Sequence, residues 1–195
     1  MILRSGVALL FLVFQAGHAC ADEIRVGLSF QDVSIEGLGG VKGKEKGVGL
    51  TLEYVGDTPE FLEWAFEPRP YIGGTINLSG DTSFGGTGLL WQTELLDKLQ
   101  GEIGFGVVIH DGELELPLPG DAMTAEQAIL YDRLNAENIE FGSRVLFRTQ
   151  FALGYDVSDD WSAQIFYEHL SHGKILSSGS NEGLDNIGVR LARRF

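Results

Sequence analysis

The chain has 195 residues, and 28 acidic against 14 basic side chains leave it a formal net charge of −14. That balance argues against nucleic-acid binding, which requires a basic face, and against simple docking on anionic lipid. The single cysteine, Cys20, lies near the amino terminus, so the rest of the chain contains no thiol and no disulfide and must gain its stability in another way.

Met1 to Ala21 reads as a secretory signal peptide. Arg4 provides a positive start, Val7 to Phe14 a short apolar run, and Ala19-Cys20-Ala21 the small residues of a cleavage site. The run is too short to cross a bilayer as a helix. The expected organisation is therefore a signal peptide over 1–21 and one β-barrel domain over 22–195.

Eight segments then alternate apolar and polar residues with period two. In the first, Ile24, Val26, Leu28 and Phe30 oppose Arg25, Gly27 and Ser29; in the second, Val48, Leu50, Leu52 and Tyr54 oppose Gly49, Thr51 and Glu53. Ile72, Ile76 and Leu78 form the apolar row of the third. Thr87, Leu89 and Trp91 oppose Gly88, Leu90 and Gln92 in the fourth. In the fifth, Ile103, Phe105, Val107 and Ile109 oppose Glu102, Gly104, Gly106 and His110. The sixth sets Val145, Phe147, Phe151, Leu153 and Tyr155 against Arg148, Gln150 and Gly154. The seventh sets Trp161, Ala163, Ile165 and Tyr167 against Ser162, Gln164, Phe166 and Glu168, and the eighth Ile187, Val189, Leu191 and Phe195 against Gly188, Arg190 and Arg194.

Alternation alone fits any half-buried antiparallel sheet. Two details favour a membrane barrel. Full charges sit on the non-apolar face (Arg25, Glu53, Glu102, Arg148, Glu168, Arg190), where a narrow lumen lets them pair. Tyr54, Trp91, Tyr155 and Trp161 fall near predicted strand ends, where interfacial girdles lie. The expected fold is all-β, an eight-stranded antiparallel transmembrane β-barrel. An even strand count makes 31–46 and 112–141 external loops, with a capping box at Thr124 to Gln127 starting a short helix. It also makes 55–69 a periplasmic turn, which is long for one.

The chemistry-bearing residues lie near the carboxy end. His169 and Ser171 are two apart at the outer end of the seventh segment and share its lipid-facing row; Asp185 begins the eighth with the same parity. Together they have the residue types of a Ser–His–acid triad on the outer wall: a nucleophile, a base to take its proton and an acid to hold the imidazole. Amides near His172 and Gly173, or Asn181, are candidate donors to an oxyanion. A metal reading of His110, His169 and His172 is disfavoured because no acidic cluster accompanies the pair; His110 is expected in the lumen's polar network.

At these residues the chain resembles the PagL-like outer-membrane lipid A deacylases. The resemblance rests on Tyr167-Glu-His-Leu-Ser171, on Asn181-Glu-Gly-Leu-Asp185 and on the strand running to Phe195. Weaker echoes are Arg69-Pro-Tyr-Ile-Gly-Gly74, Gly80-Asp-Thr82, His110-Asp-Gly112 and Gly142-Ser-Arg144. The resemblance implies an eight-stranded barrel in the outer membrane and a serine esterase that removes an ester-linked 3-hydroxyacyl chain from the lipid A of lipopolysaccharide, without a cofactor. His169 would be its base, Ser171 its nucleophile and Asp185 its acid. Members often carry Asn directly after the serine, where this chain has His172, and some carry Glu as the acid. Arg193 stands where outer-membrane barrels commonly place an aromatic. The rival readings are a non-catalytic small barrel with a structural or surface-interaction role and a soluble exported lipid-binding barrel.

Overall fold

The computed structural model describes residues 22–34, 43–116 and 124–195, so the expected signal peptide over 1–21 lies outside the described residues. Each alternating segment forms a strand: β1 (Glu23–Phe30), β2 (Val48–Val55), β3 (Arg69–Asn77), β4 (Phe84–Leu96), β5 (Leu99–His110), β6 (Val145–Asp156), β7 (Trp161–Ser171) and β8 (Leu184–Arg194). Every strand pairs antiparallel with the next, and β8 returns to β1, with Glu23 opposite Arg194 and Phe30 opposite Ile187. Closure leaves no free sheet edge, which a strand-built membrane protein requires.

The two-residue period sorts the side chains. Ile24, Leu52, Ile72, Phe105, Leu153, Ile165 and Val189 are exposed on the outer wall, and their sequence neighbours point inward. The inward charges form one network. Arg25 meets Glu23 at 2.7 Å and Glu102 at 2.7 Å; Arg190 meets Glu53 and Glu102, both at 2.6 Å; Arg148 meets Glu53 at 2.7 Å and Glu168 at 2.6 Å. Arg148 also lies over the Tyr71 ring and Arg190 over Phe166. Burying these ions is tolerable only because each has an opposite charge within reach.

The short connections 97–98 and 157–160 lie at the end that holds both chain ends of the barrel; 31–34, 43–47, 111–116, 124–144 and 172–183 lie at the other. Short turns mark the periplasmic side of such barrels and long loops the external side. On the external side α1 (Ala125–Glu137) begins at the expected capping box: Thr124 accepts from the Gln127 amide and Gln127 accepts from that of Thr124. After α1 the chain dips into the barrel mouth. Ile139 and Phe141 join Phe84, Val108, Leu146, Leu170 and Leu184 in a buried apolar cluster toward the external end of the lumen.

Two expectations need correction. His110 does not join the arginine–glutamate network: its ring lies tilted against Phe141, with centroids 4.3 Å apart, and its Nε2 donates to the Ser143 carbonyl at 2.8 Å. Its place at the last position of β5 puts it at the mouth, where apolar loop residues close over it. The 55–69 segment is the long β2–β3 connection expected, and it holds the 3-10 helix Glu60–Ala65. β4 runs to Leu96, beyond Leu90, which pairs with Arg69 at the start of β3. Trp91 therefore lies inside a strand, not at its end.

Candidate active site

β7 and β8 are in register at the external rim, and His169 is directly opposite Asp185. Directly opposed residues put their Cβ atoms about 4.5–5.5 Å apart, a gap that a short carboxylate and an imidazole can bridge. His169 Nδ1 donates to Asp185 Oδ1 at 2.6 Å. The shorter acid thus reaches, because β-pairing rather than side-chain length supplies the approach.

Asp185 has the outward parity of Ile187, yet it is 0 % exposed. The Tyr167 hydroxyl donates to the same Oδ1 at 2.6 Å, reaching diagonally from the next row, and Val33 of the first external loop donates its amide to the Asp185 carbonyl at 2.8 Å. A carboxylate that accepts two such bonds is held in one orientation. The His169 side chain stays 29 % exposed.

Ser171 ends β7 on the same face, opposite Phe147 and two residues beyond His169. Its hydroxyl is not hydrogen-bonded to His169 among the described residues. Gly183 sits beside the imidazole in a left-handed conformation (φ +74°), and a Cβ there would come within 3.0 Å of His169 Cε1. The close approach and the backbone conformation both call for glycine.

The loop from 172 to 183 is pinned from within. The His172 amide donates to Asn181 Oδ1 at 2.9 Å, and the fully buried His172 ring donates from Nε2 to the Ser180 carbonyl at 2.7 Å. The His172 amide is therefore occupied, leaving the Gly173 amide and the Asn181 side-chain amide as donors without a partner among the described residues. His172 thus buttresses the loop. Glu182 ties that loop to two others, accepting from Lys44 Nζ at 2.7 Å and from the Glu140 amide at 2.8 Å.

Sequence parity singled out His169, Ser171 and Asp185 but not Tyr167 or Gly183. Tyr167 was legible only as another member of the lipid-facing row, and its diagonal reach depends on the β7–β8 register. Below the site an apolar groove of about 410 Å³ runs along the outer wall, lined by Trp91, Ile103, Phe151, Leu153, Ile165 and Tyr167 among others. Tyr167 thus touches both the groove and the His169–Asp185 pair.

A closed eight-stranded barrel with an apolar exterior, a charged lumen and long loops at one end is an outer-membrane β-barrel, here with a histidine–carboxylate pair on its outer wall. The family model described as lipid A 3-O-deacylase (PagL) matches residues 79–194, which include the whole of this site. The chain belongs to that family. No curated protein matches it in sequence. Among solved structures it is similar to the outer membrane enzyme PagL, with 13 % identity and a TM-score of 0.55 over 89 % of this chain and 99 % of that one. It is also similar to Neisserial surface protein A (11 % identity, TM-score 0.52, 89 % and 97 % covered) and to a de novo designed transmembrane β-barrel (8 %, 0.51, 93 % and 100 %). At such identities these likenesses concern the fold alone.

Proposed function

We propose that the protein is an outer-membrane esterase that hydrolyses an ester-linked 3-hydroxyacyl chain of lipid A, with Ser171 as nucleophile, His169 as general base and Asp185 as the orienting acid. The observation that carries this reading is the His169–Asp185 hydrogen bond on the lipid-facing wall, at the external rim and beside Ser171. The interior supports it, since the lumen holds the buried Phe141 cluster and the arginine–glutamate network, which leaves the outer wall as the surface for a lipid. Lipid A of the outer leaflet places its acyl esters at the height of the rim and its chains against the apolar groove.

The chemistry follows from the side chains. With Nδ1–H committed to Asp185, the neutral imidazole presents Nε2 as the base. Ser171 Oγ adds to the ester carbonyl as its proton passes to Nε2, and the resulting oxyanion is met by the Gly173 amide and the Asn181 side-chain amide. Collapse of the tetrahedral intermediate breaks the bond to the sugar oxygen, which takes the proton from His169. Water, deprotonated by the same imidazole, then frees the 3-hydroxy fatty acid and restores Ser171. Serine–histidine contacts are often loose before substrate binds and tighten in the complex, so the unbonded Ser171 fits a site awaiting its lipid.

The test is mass spectrometry of lipid A incubated with the refolded barrel and with Ser171→Ala. Loss of one hydroxyacyl mass with the wild type alone is the expected result. Unchanged lipid A with a wild type that is fully folded would favour the non-catalytic barrel.

A further inference from the structure

The periplasmic end carries a feature that catalysis at the opposite rim does not use. The 56–68 connection between β2 and β3 is much longer than the other periplasmic connections at 97–98 and 157–160. It does not hang free: Trp91, on the outward row of β4, donates its indole N–H to the Ala65 carbonyl at 2.9 Å, and Thr58 Oγ1 donates to the Glu67 carbonyl at 2.9 Å. Phe66 and Glu67 are consecutive residues with left-handed backbone (φ +66° and +54°), which turns the chain back toward β3.

The turned-back segment presents three large aromatics, with Phe61 73 %, Trp64 83 % and Phe66 73 % exposed. Trp64, Ala65 and Phe66 form one side of a groove of about 410 Å³, and Trp91 and Ile103 of the outer wall form the other. Trp91 and Ile103 also line the long groove beneath the site. This second groove is therefore continuous with the surface that faces lipid, but it sits at the level of the periplasmic leaflet. The 56–68 segment carries Asp57, Glu60, Glu63 and Glu67 and no lysine or arginine; its flanking Arg69 is engaged by Glu23 at 3.1 Å and Gln92 at 2.8 Å.

We propose that this groove is a binding site for a phospholipid of the periplasmic leaflet: one acyl chain lies between Trp64, Phe66 and Trp91, and the ammonium of an ethanolamine headgroup meets the carboxylates of 56–68. The aromatics give the interfacial depth. The segment's four acids, with no lysine or arginine among them, repel phosphatidylglycerol and attract a headgroup carrying an amine.

The test uses the whole refolded barrel in vesicles of phosphatidylethanolamine and phosphatidylglycerol, with either lipid brominated on its acyl chains in separate samples. The Trp64 contribution is read as the difference in fluorescence between wild type and Trp64→Phe. Quenching by brominated phosphatidylethanolamine is expected to exceed that by brominated phosphatidylglycerol by roughly twofold to fivefold, the size that exposed charge contacts supply. Glu60→Gln with Glu63→Gln should remove the preference and keep the quenching. Native mass spectrometry should show retained phosphatidylethanolamine on the wild type and none on a Phe61→Ser, Trp64→Ser, Phe66→Ser variant that still migrates as a folded barrel. Equal quenching by both lipids, quenching only by aqueous acrylamide, or burial of Trp64 in a cross-linkable dimer would each overturn the proposal.

Discussion

Asp185 shows how much a single side chain depends on its partners. Its Oδ1 accepts from both His169 and Tyr167, and the rest of the carboxylate is buried. Asp185→Asn keeps the shape but removes the charge that holds the imidazole tautomer; deacylation should fall on the order of 10⁴-fold in kcat while the fold is retained. Tyr167→Phe removes only one donor to the carboxylate, and a loss of roughly tenfold in kcat with little change in KM is expected of a positioning residue. Both are read by timed mass spectrometry of lipid A against far-ultraviolet circular dichroism as the control for folding. An equal loss in KM and kcat for Tyr167→Phe would place the residue in substrate binding instead.

At the scale of the element, the outer faces of β6 and β7 carry two functions at once: they face lipid and they floor the groove below the site. Ile165 is exposed on this wall, paired across to Leu153 and Val189. Ile165→Arg places a charge toward the hydrocarbon, and a cost of about 2–4 kcal/mol near mid-bilayer is expected in urea unfolding from vesicles. The same substitution should slow deacylation of long-chain lipid A more than of a short-chain ester, because only the long chain extends over Ile165. Arg193 stands in a place usually held by an aromatic; it lies over the ring of Trp161 at 5.7 Å, so the periplasmic girdle is completed by a cation stacked on an indole.

At the scale of the molecule, stability is concentrated in the lumen and at the external loop junction. Glu53 is fully buried among Arg148, Arg190 and Arg25. Glu53→Ala leaves those cations short of a partner and should cost about 3–5 kcal/mol, measured as a shift of the unfolding midpoint in urea. Outside the membrane, Asp32 and Glu45 meet where the first loop joins the second: Asp32 accepts from the Glu45 amide at 3.0 Å, and Glu45 accepts from the Thr82 hydroxyl at 2.7 Å. Burial pushes both carboxyls up from their ordinary values, with weaker opposition from these hydrogen bonds. An acid whose folded pKa is raised binds protons more readily when folded, so its stabilising contribution is full below the ordinary carboxyl range and is lost as pH rises through the raised value. Hydrogen exchange of the 43–47 and 82–83 amides, corrected for intrinsic rate, should therefore slow as pH is lowered from neutral into the mildly acid range. Asp32→Asn with Glu45→Gln should flatten that dependence.

Most of the barrel was legible in the chain because a side chain's face depends only on its parity along the strand, and Arg25, Glu53, Arg148 and Arg190 betrayed a polar interior where a sandwich would be apolar. Parity also put His169, Ser171 and Asp185 on one wall. It could not say that His169 and Asp185 face each other, since the β7–β8 register depends on how the 172–183 loop closes that hairpin. Nor could it show Tyr167 reaching across a row, His110 covered by Phe141, or the 56–68 segment folded back on Trp91. Those contacts join residues separated by long stretches of chain, and no local pattern encodes them. The sequence by itself thus determined the strands, their inward and outward faces and the candidate chemistry. Pairing between strands decided which of those groups meet, because the β7–β8 register sets His169 opposite Asp185 and only the folded tertiary structure fixes it.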